Sequence, residues 1–155
     1  MEVVAYIAVG ANLGDRRGNI EAARARLAET DGVEVIRMSS LVENPAVGGP
    51  ADSPAFLNGV IEVRTTRPPH DVLTRLLKVE QSLGRRRRTK WEPRAIDLDL
   101  VLYGDQIVDT PTLTVPHPLM HQRRFVLEPL AEIAPGLRHP VLGKTIASLL
   151  AQLPF

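Results

Sequence analysis

Residues 95–103 read Ala-Ile-Asp-Leu-Asp-Leu-Val-Leu-Tyr. Apolar and acidic residues alternate there with a period of two, the signature of a strand. On that spacing Ile96, Leu98, Leu100 and Leu102 share one face, and Asp97 and Asp99 point together from the other. The flanking segments decide which sheet this strand joins. Residues 3–9 form an apolar run expected as a buried strand, and Gly10-Ala11-Asn12-Leu13-Gly14 a glycine-punctuated turn. Asp15 is a candidate N-cap for a helix reaching about Thr30, with Ile20, Ala23 and Leu27 on one face. Asp31-Gly32 breaks that helix, and residues 33–43 read as a second strand. Asn44 to Ala55 holds three prolines and two glycines, so a long ordered loop is expected. Phe56 to Thr65 alternates as a third strand, with Leu57, Gly59, Ile61 and Val63 opposite Phe56, Asn58, Val60, Glu62 and Arg64.

Pro68-Pro69 opens a second helix, with an expected stripe of Leu73, Leu76, Leu77 and Gly84 that also carries Glu80. A loop of cations follows, and then the acidic strand. The order strand, helix, strand, strand, helix, strand predicts an α+β fold. Its centre is a ferredoxin-like βαββαβ core, an antiparallel sheet with helices on one face. Beyond Gly104, a C-terminal extension of short strands (106–108 and 113–115) and helices (about 123–133 and 145–153) is expected. The 155 residues suit a single domain, 1–155. With 19 basic and 18 acidic residues the chain is near neutral, which argues against a nucleic-acid coat or a polybasic membrane binder. The absence of cysteine excludes disulfides, thiolate metal sites and thiol nucleophiles. No membrane span or signal peptide is read, and the expected compartment is the cytoplasm.

Asp97 and Asp99 lie roughly 7 Å apart at Cα on strand geometry. Carboxylates that close repel, and one stays protonated unless a cation is near. A bridging divalent ion answers this, and oxygen ligands favour Mg²⁺ together with phosphate oxygens and water. Two solvated aspartates, or salt bridges to Arg94 and its neighbours, remain the plain alternative. Arg85, Arg86, Arg87, Arg88, Lys90 and Arg94 crowd the segment just before this strand. Guanidinium groups neutralise transferring phosphoryl groups, so run and strand together supply both halves of a nucleotide site. A solvated basic loop is the alternative. Trp91 suits either base stacking or packing. Gly10-x-x-x-Gly14 lacks the ending of a phosphate loop and is read as a tight turn. Phe56 and Asn58 share a strand face, which fits a flat heterocycle stacked beside an amide.

Together these residues resemble a known family. The set is Gly10-Ala11-Asn12-Leu13-Gly14-Asp15, Phe56-Leu57-Asn58, Gly84-Arg85-Arg86-Arg87, Trp91 through Asp99, Thr114-Val115-Pro116-His117, and Arg123 through Leu130. It resembles the 6-hydroxymethyl-7,8-dihydropterin pyrophosphokinases of folate biosynthesis over nearly the whole chain. The resemblance implies transfer of the β,γ-pyrophosphoryl group of ATP to the pterin's hydroxymethyl oxygen, with release of AMP and with two Mg²⁺ ions. It assigns Asp97 and Asp99 to metal and Arg85 and Arg94 to catalysis. Glu80, Arg87, Trp91, Leu100, Thr114, His117 and Arg123 are implied at the ATP site. Asn44, Pro45, Val47, Phe56, Asn58, Asp97 and Phe125 are implied at the pterin site. ATP and the pterin are the expected partners, with no nucleic acid and no membrane, and the chain is expected to act as a monomer.

Three positions depart from the family pattern. Thr112 stands where some members carry arginine, Pro118 follows His117 where others have an aromatic, and the arginine loop is one residue shorter. A further catalytic domain, present in some relatives, has no room in these 155 residues. The competing reading is an RNA-recognition-like module of the same split βαβ topology. Such modules stack bases on aromatic platforms of the central strands, where this chain carries two aspartates.

Overall fold

A computed structural model describes residues 1–44, 55–84 and 96–154. The expected ordered loop at 45–54 and the cation run at 85–94 lie outside the described residues. Four strands form the main sheet in the order β2 (Val33–Met38), β4 (Phe56–Thr65), β1 (Val3–Ala11) and β5 (Asp97–Tyr103), every pair antiparallel. A three-residue strand β3 (Val42–Asn44) also pairs with β4. With α1 (Arg16–Ala28) and α2 (Pro69–Ser82) this is the ferredoxin-like α+β core. The extension carries the hairpin β6 (Val108–Asp109) and β7 (Thr114–Val115), a 3-10 turn at Met120–Gln122, α3 (Arg124–Ile133) and α4 (Ile146–Ala151).

Local chemistry accounts for several boundaries. The Asp15 carboxylate caps α1 by accepting the Gly18 N–H at 3.0 Å, and Ile20, Ala23 and Leu27 form its buried stripe. Proline stands at the start of α2, where its missing N–H costs nothing. The segment 33–43 is two strands rather than one. β2 carries a bulge at Ile36, where Val35 faces Val63 and Arg37 faces Glu62. β1 runs through Gly10 and Ala11, so Gly10 belongs to the sheet and not to a turn.

The core helices α1 and α2 lie on one face of the sheet as expected, and the C-terminal extension covers the other. Ala5, Ile7, Val9, Ile61, Leu98 and Leu100 pack with α1 and α2, while Tyr6, Val60, Val101 and Leu102 pack with α3 and α4. A strand buried on both sides loses clean alternation, which is why β4 reads as nearly continuous burial. The expected α2 stripe also shifts. Val72, Leu76, Val79 and Glu80 are buried, whereas Leu77 is 42% exposed. In β5 the register to β1 slips between Tyr6 and Ile7, leaving Val101 as an extra residue. This bulge turns Leu102 to the α3 side, away from Leu98 and Leu100, and sends Tyr103 to the α1 side.

The connection between α3 and α4 turns on His139, which is 5% exposed. Its Nδ1 accepts backbone N–H groups from Val141 (3.2 Å) and Leu142 (3.1 Å), so the neutral ring carries its proton on Nε2. The His121 ring lies edge-on to it, centroids 6.5 Å apart. Burial, and next His121, hold the His139 pKa below its ordinary 6.5. The folded state thus prefers the neutral ring. Its contribution is complete above pH ~6.5 and is lost as pH falls through the folded pKa. Folding stability should therefore decline on acidification below about pH 6.5, and His139→Asn, which keeps an acceptor but does not titrate, should flatten that decline. Melting temperatures across this range check it; an identical slope in the variant rules the role out.

Candidate active site

Gly10 of β1 lies opposite Asn58 of β4 on one side and Asp97 of β5 on the other. Two residues back, Ala8 lies opposite Val60 and Asp99. Cross-strand partners share a face, so Asn58, Asp97 and Asp99 rise from one surface with small residues between them. A cavity of about 570 Å³ opens above this floor. An ideal Cβ on Gly10 would lie 2.7 Å from Asn58 Nδ2 and 3.6 Å from the Phe56 ring. The absence of a side chain at Gly10 therefore makes room for the amide.

One end of the cavity sets aromatic rings beside a fixed amide. β3 brings Asn44 opposite Phe56, and the Asn44 Nδ2 donates to Asn58 Oδ1 at 3.2 Å and to Val42 O at 3.3 Å. That bond fixes the Asn58 amide with its Oδ1 toward Asn44. Phe56 and Phe125 both line the cavity. The Arg123 guanidinium stands over the Phe125 ring, 5.5 Å from its centroid, a cation–π distance.

The other end suits anions and their metal. Asp97 and Asp99 line the cavity together with His117, Arg123 and Arg124. The first turn of α3 forms this wall, which brings the positive end of a helix dipole to the cavity. His117 Nδ1 accepts the Leu119 N–H at 3.2 Å, and its own backbone N–H donates to Val101 O at 3.0 Å. Burial lowers the His117 pKa; Asp99 opposes that shift and Arg123 reinforces it. The ring is accordingly a neutral donor through Nε2 near pH 7.

The donor set fits magnesium. Two carboxylates on one strand face are hard oxygen ligands, and among the described residues no cluster of three His, Asp or Glu side chains closes a complete cage. Mg²⁺ is commonly held this way, by one or two carboxylates with water and phosphate oxygens.

Asn44, Phe56, Asn58, Asp97, Asp99, His117, Arg123 and Phe125 thus meet in one cavity. Three expected site residues stand elsewhere. Leu100 is 4% exposed, in the core on the α1 side. Thr114 is exposed on β7, paired with Asp109. Glu80 is 2% exposed, and its Oε2 accepts the Leu98 N–H at 2.8 Å. Pro45, Val47, Arg85, Arg87, Trp91 and Arg94 lie outside the described residues. Sequence reasoning missed Ala8, Gly10, Gln122 and Arg124 in the lining. Gly10 had a readable signal, since a glycine inside a strand pattern often marks close approach of another group.

Comparison with known proteins identifies the family. The family model for 7,8-dihydro-6-hydroxymethylpterin-pyrophosphokinase (HPPK) matches residues 6–135. The chain is 44% identical to the 2-amino-4-hydroxy-6-hydroxymethyldihydropteridine pyrophosphokinase of Synechocystis, covering 96% of this chain and 75% of that protein. It is 42% identical to the Pseudomonas aeruginosa enzyme of the same name, covering 97% of this chain and 91% of that protein. Among solved structures, Plasmodium falciparum HPPK-DHPS superposes with a TM-score of 0.77 at 16% identity, covering 98% of this chain. The chain spans only 42% of that longer protein, and the likeness there is one of fold.

The placement of Glu80 carries its own test. Among the described residues β5 ends the main sheet, where alternate N–H groups lack a ladder neighbour, and Glu80 supplies the acceptor at Leu98. Glu80→Ala leaves that buried N–H without an acceptor and should cost about 1–3 kcal/mol of folding stability. Denaturant titration checks this; wild-type stability in the variant excludes the role.

Proposed function

This chain belongs to the 7,8-dihydro-6-hydroxymethylpterin-pyrophosphokinase family, and on that premise we propose how its cavity divides the work. The activity is transfer of the pyrophosphoryl group of ATP to the hydroxymethyl group of the dihydropterin, a step of folate synthesis. One observation carries the division. A single cavity joins an amide-and-aromatic end to a carboxylate-and-guanidinium end, and Asp97 stands between them, level with Asn58 across Gly10.

The pterin occupies the first end. Phe56 and Phe125 offer apolar faces to the ring, and Asn58, held by Asn44, reads its edge. Pro45 and Val47 complete this end by family resemblance. ATP occupies the second end. Asp97 and Asp99 would hold the two Mg²⁺ ions there, and the ions would supply neutralisation of the phosphate charge. Arg123 and the neutral Nε2–H of His117 donate to the polyphosphate, and Arg87 and Trp91 join them by resemblance. Glu80, Leu100 and Thr114 serve the nucleotide through the backbone they support. Leu100 immediately follows Asp99, and Glu80 fixes Leu98 between the two aspartates.

Transfer of this kind needs alignment and charge neutralisation more than covalent chemistry. The hydroxymethyl oxygen must lie in line with the Pβ–Oα bond. Attack there forms the new O–P bond, AMP leaves with the breaking bond's electrons, and the hydroxyl proton is released. Asp97 is placed to orient that hydroxyl. Arg85 and Arg94 are assigned to the charge that moves during transfer. Residues 1–155 make one pyrophosphokinase domain, acting as a monomer in the cytoplasm; among the described residues no helix is long and apolar enough to cross a membrane.

Incubation with ATP, Mg²⁺ and the reduced hydroxymethylpterin should give AMP and the pterin pyrophosphate in step. ADP as the nucleotide product overturns the reading. The two ends should also separate kinetically. Asp99→Ala removes several kcal/mol of charge stabilisation and should lower kcat roughly a hundredfold or more. Gly10→Ala pushes the Asn58 amide aside and should raise the pterin KM about tenfold with little change for ATP. Steady-state kinetics varying each substrate in turn test this; equal effects on both substrates from both variants abolish the division.

A further inference from the structure

We propose that Arg16 is a positioning residue for the pterin end of the cavity, a reading that rests on the assignment of Phe56 and Asn44 to that end. Arg16 is the first residue of α1, and Arg17 follows it. A helix N-terminus carries partial positive charge, so cations in the first turn are unfavourable there and acidic residues are preferred. The first turn of α1 has no acidic residue. Helix stability therefore does not explain an arginine at this place.

Its contacts do. Arg16 reaches across 39 positions of sequence to donate from Nη1 to the Ala55 carbonyl at 2.9 Å. The same nitrogen lies 3.5 Å from Glu43 Oε1. Ala55 immediately precedes Phe56, and Glu43 immediately precedes Asn44. Asn44 and Phe56 are register partners, and both line the cavity. One guanidinium thus ties together the two strand ends that present the stacking ring and the amide clamp. β3 is only three residues long and sits off the main path of the sheet. So short a strand has few ladder bonds of its own to hold its last residue in place. The Arg16 side chain is 31% exposed and the Glu43 side chain 63%, so the carbonyl bond matters more than the ion pair.

Arg16 is not among the residues that line the cavity. Its effect passes through the spacing of Phe56 and Asn44, and so should appear in pterin binding and not in the chemical step. The full chain and its Arg16→Ala and Arg16→Lys variants are compared by steady-state kinetics with ATP, Mg²⁺ and the reduced hydroxymethylpterin. Arg16→Ala should raise the pterin KM about five- to tenfold, the worth of one charge-assisted hydrogen bond, with kcat and the ATP KM unmoved. Arg16→Lys, which keeps a charged donor, should recover part of that loss. An unmoved pterin KM in Arg16→Ala overturns the proposal. So does an equal rise for both substrates, or a fall in melting temperature that alters kcat alone. Phe56→Ala is assayed in parallel. If it too leaves the pterin KM unchanged, the assignment of this end fails and takes the Arg16 role with it. If Phe56→Ala weakens pterin binding and Arg16→Ala does not, only the positioning role is lost.

Discussion

The cavity hangs on one cross-strand register, Asn58 to Gly10 to Asp97. β1 is the central member of that row, and it contributes no side chain where the row is most crowded. The 2.7 Å clearance to Asn58 Nδ2 means that any larger residue at Gly10 must move the amide. A shift of one position in either flanking strand would send Asn58 or both aspartates to the opposite face. Hydrophobic patterning guards against this. Leu57, Ile61, Leu98 and Leu100 are all buried on the α1 side, and a slip would turn them toward the cavity.

The bulge in β5 extends the same logic. Up to Leu100 the strand keeps its polar face toward the cavity; beyond it, Val101 and Leu102 both turn to the α3 side. The strand thus changes from a cavity-lining surface to part of a core within a few residues, and Val101 belongs to both. That core seats α3, whose first turn returns Arg123 and Phe125 to the cavity wall. On this side Tyr6 donates to Glu62 at 3.2 Å, and the half-exposed Arg37 lies 2.6 Å from the other Glu62 oxygen. Burial, then the Glu62 charge, pushes the Tyr6 pKa up to about 12, so the phenol stays a neutral donor.

Much of this was legible in the sequence because it depends on local period and punctuation. The α1 stripe, the Asp15 cap, the division of β4 residues between two faces and the paired aspartates follow from spacings of two, three and four residues. What was not legible depends on residues distant in the chain. Whether α3 and α4 cover the second face of the sheet is decided by the match of Tyr6, Val60 and Val101 to the apolar side of α3, which no local window contains. The Val101 bulge is invisible to a period of two, which groups Leu102 with Leu98 and Leu100 although it faces α3. Glu80 on an apolar stripe was a visible anomaly. Its resolution, an end-strand amide eighteen residues on, required the fold.

The placement of the aspartates on an end strand has a physical cost and a functional return. Among the described residues β5 has one ladder neighbour, β1, and is held by further attachments along its outer side. Glu80 holds Leu98 there, and Val101 O receives the His117 N–H. Those two attachments flank Asp99 in sequence, and the second one carries a cavity-lining side chain of its own. Fixing β5 and fixing His117 are therefore the same act. An interior strand would offer rigidity without this, because both its edges would already be occupied by neighbours. At the end of the sheet, the strand bearing the carboxylates follows directly in sequence on the cation-rich segment 85–94, while its register with β1 keeps the aspartates level with Asn58. The end position thus lets two kinds of chemistry, a fixed amide-and-ring cradle and a carboxylate pair for charge, meet across a single glycine.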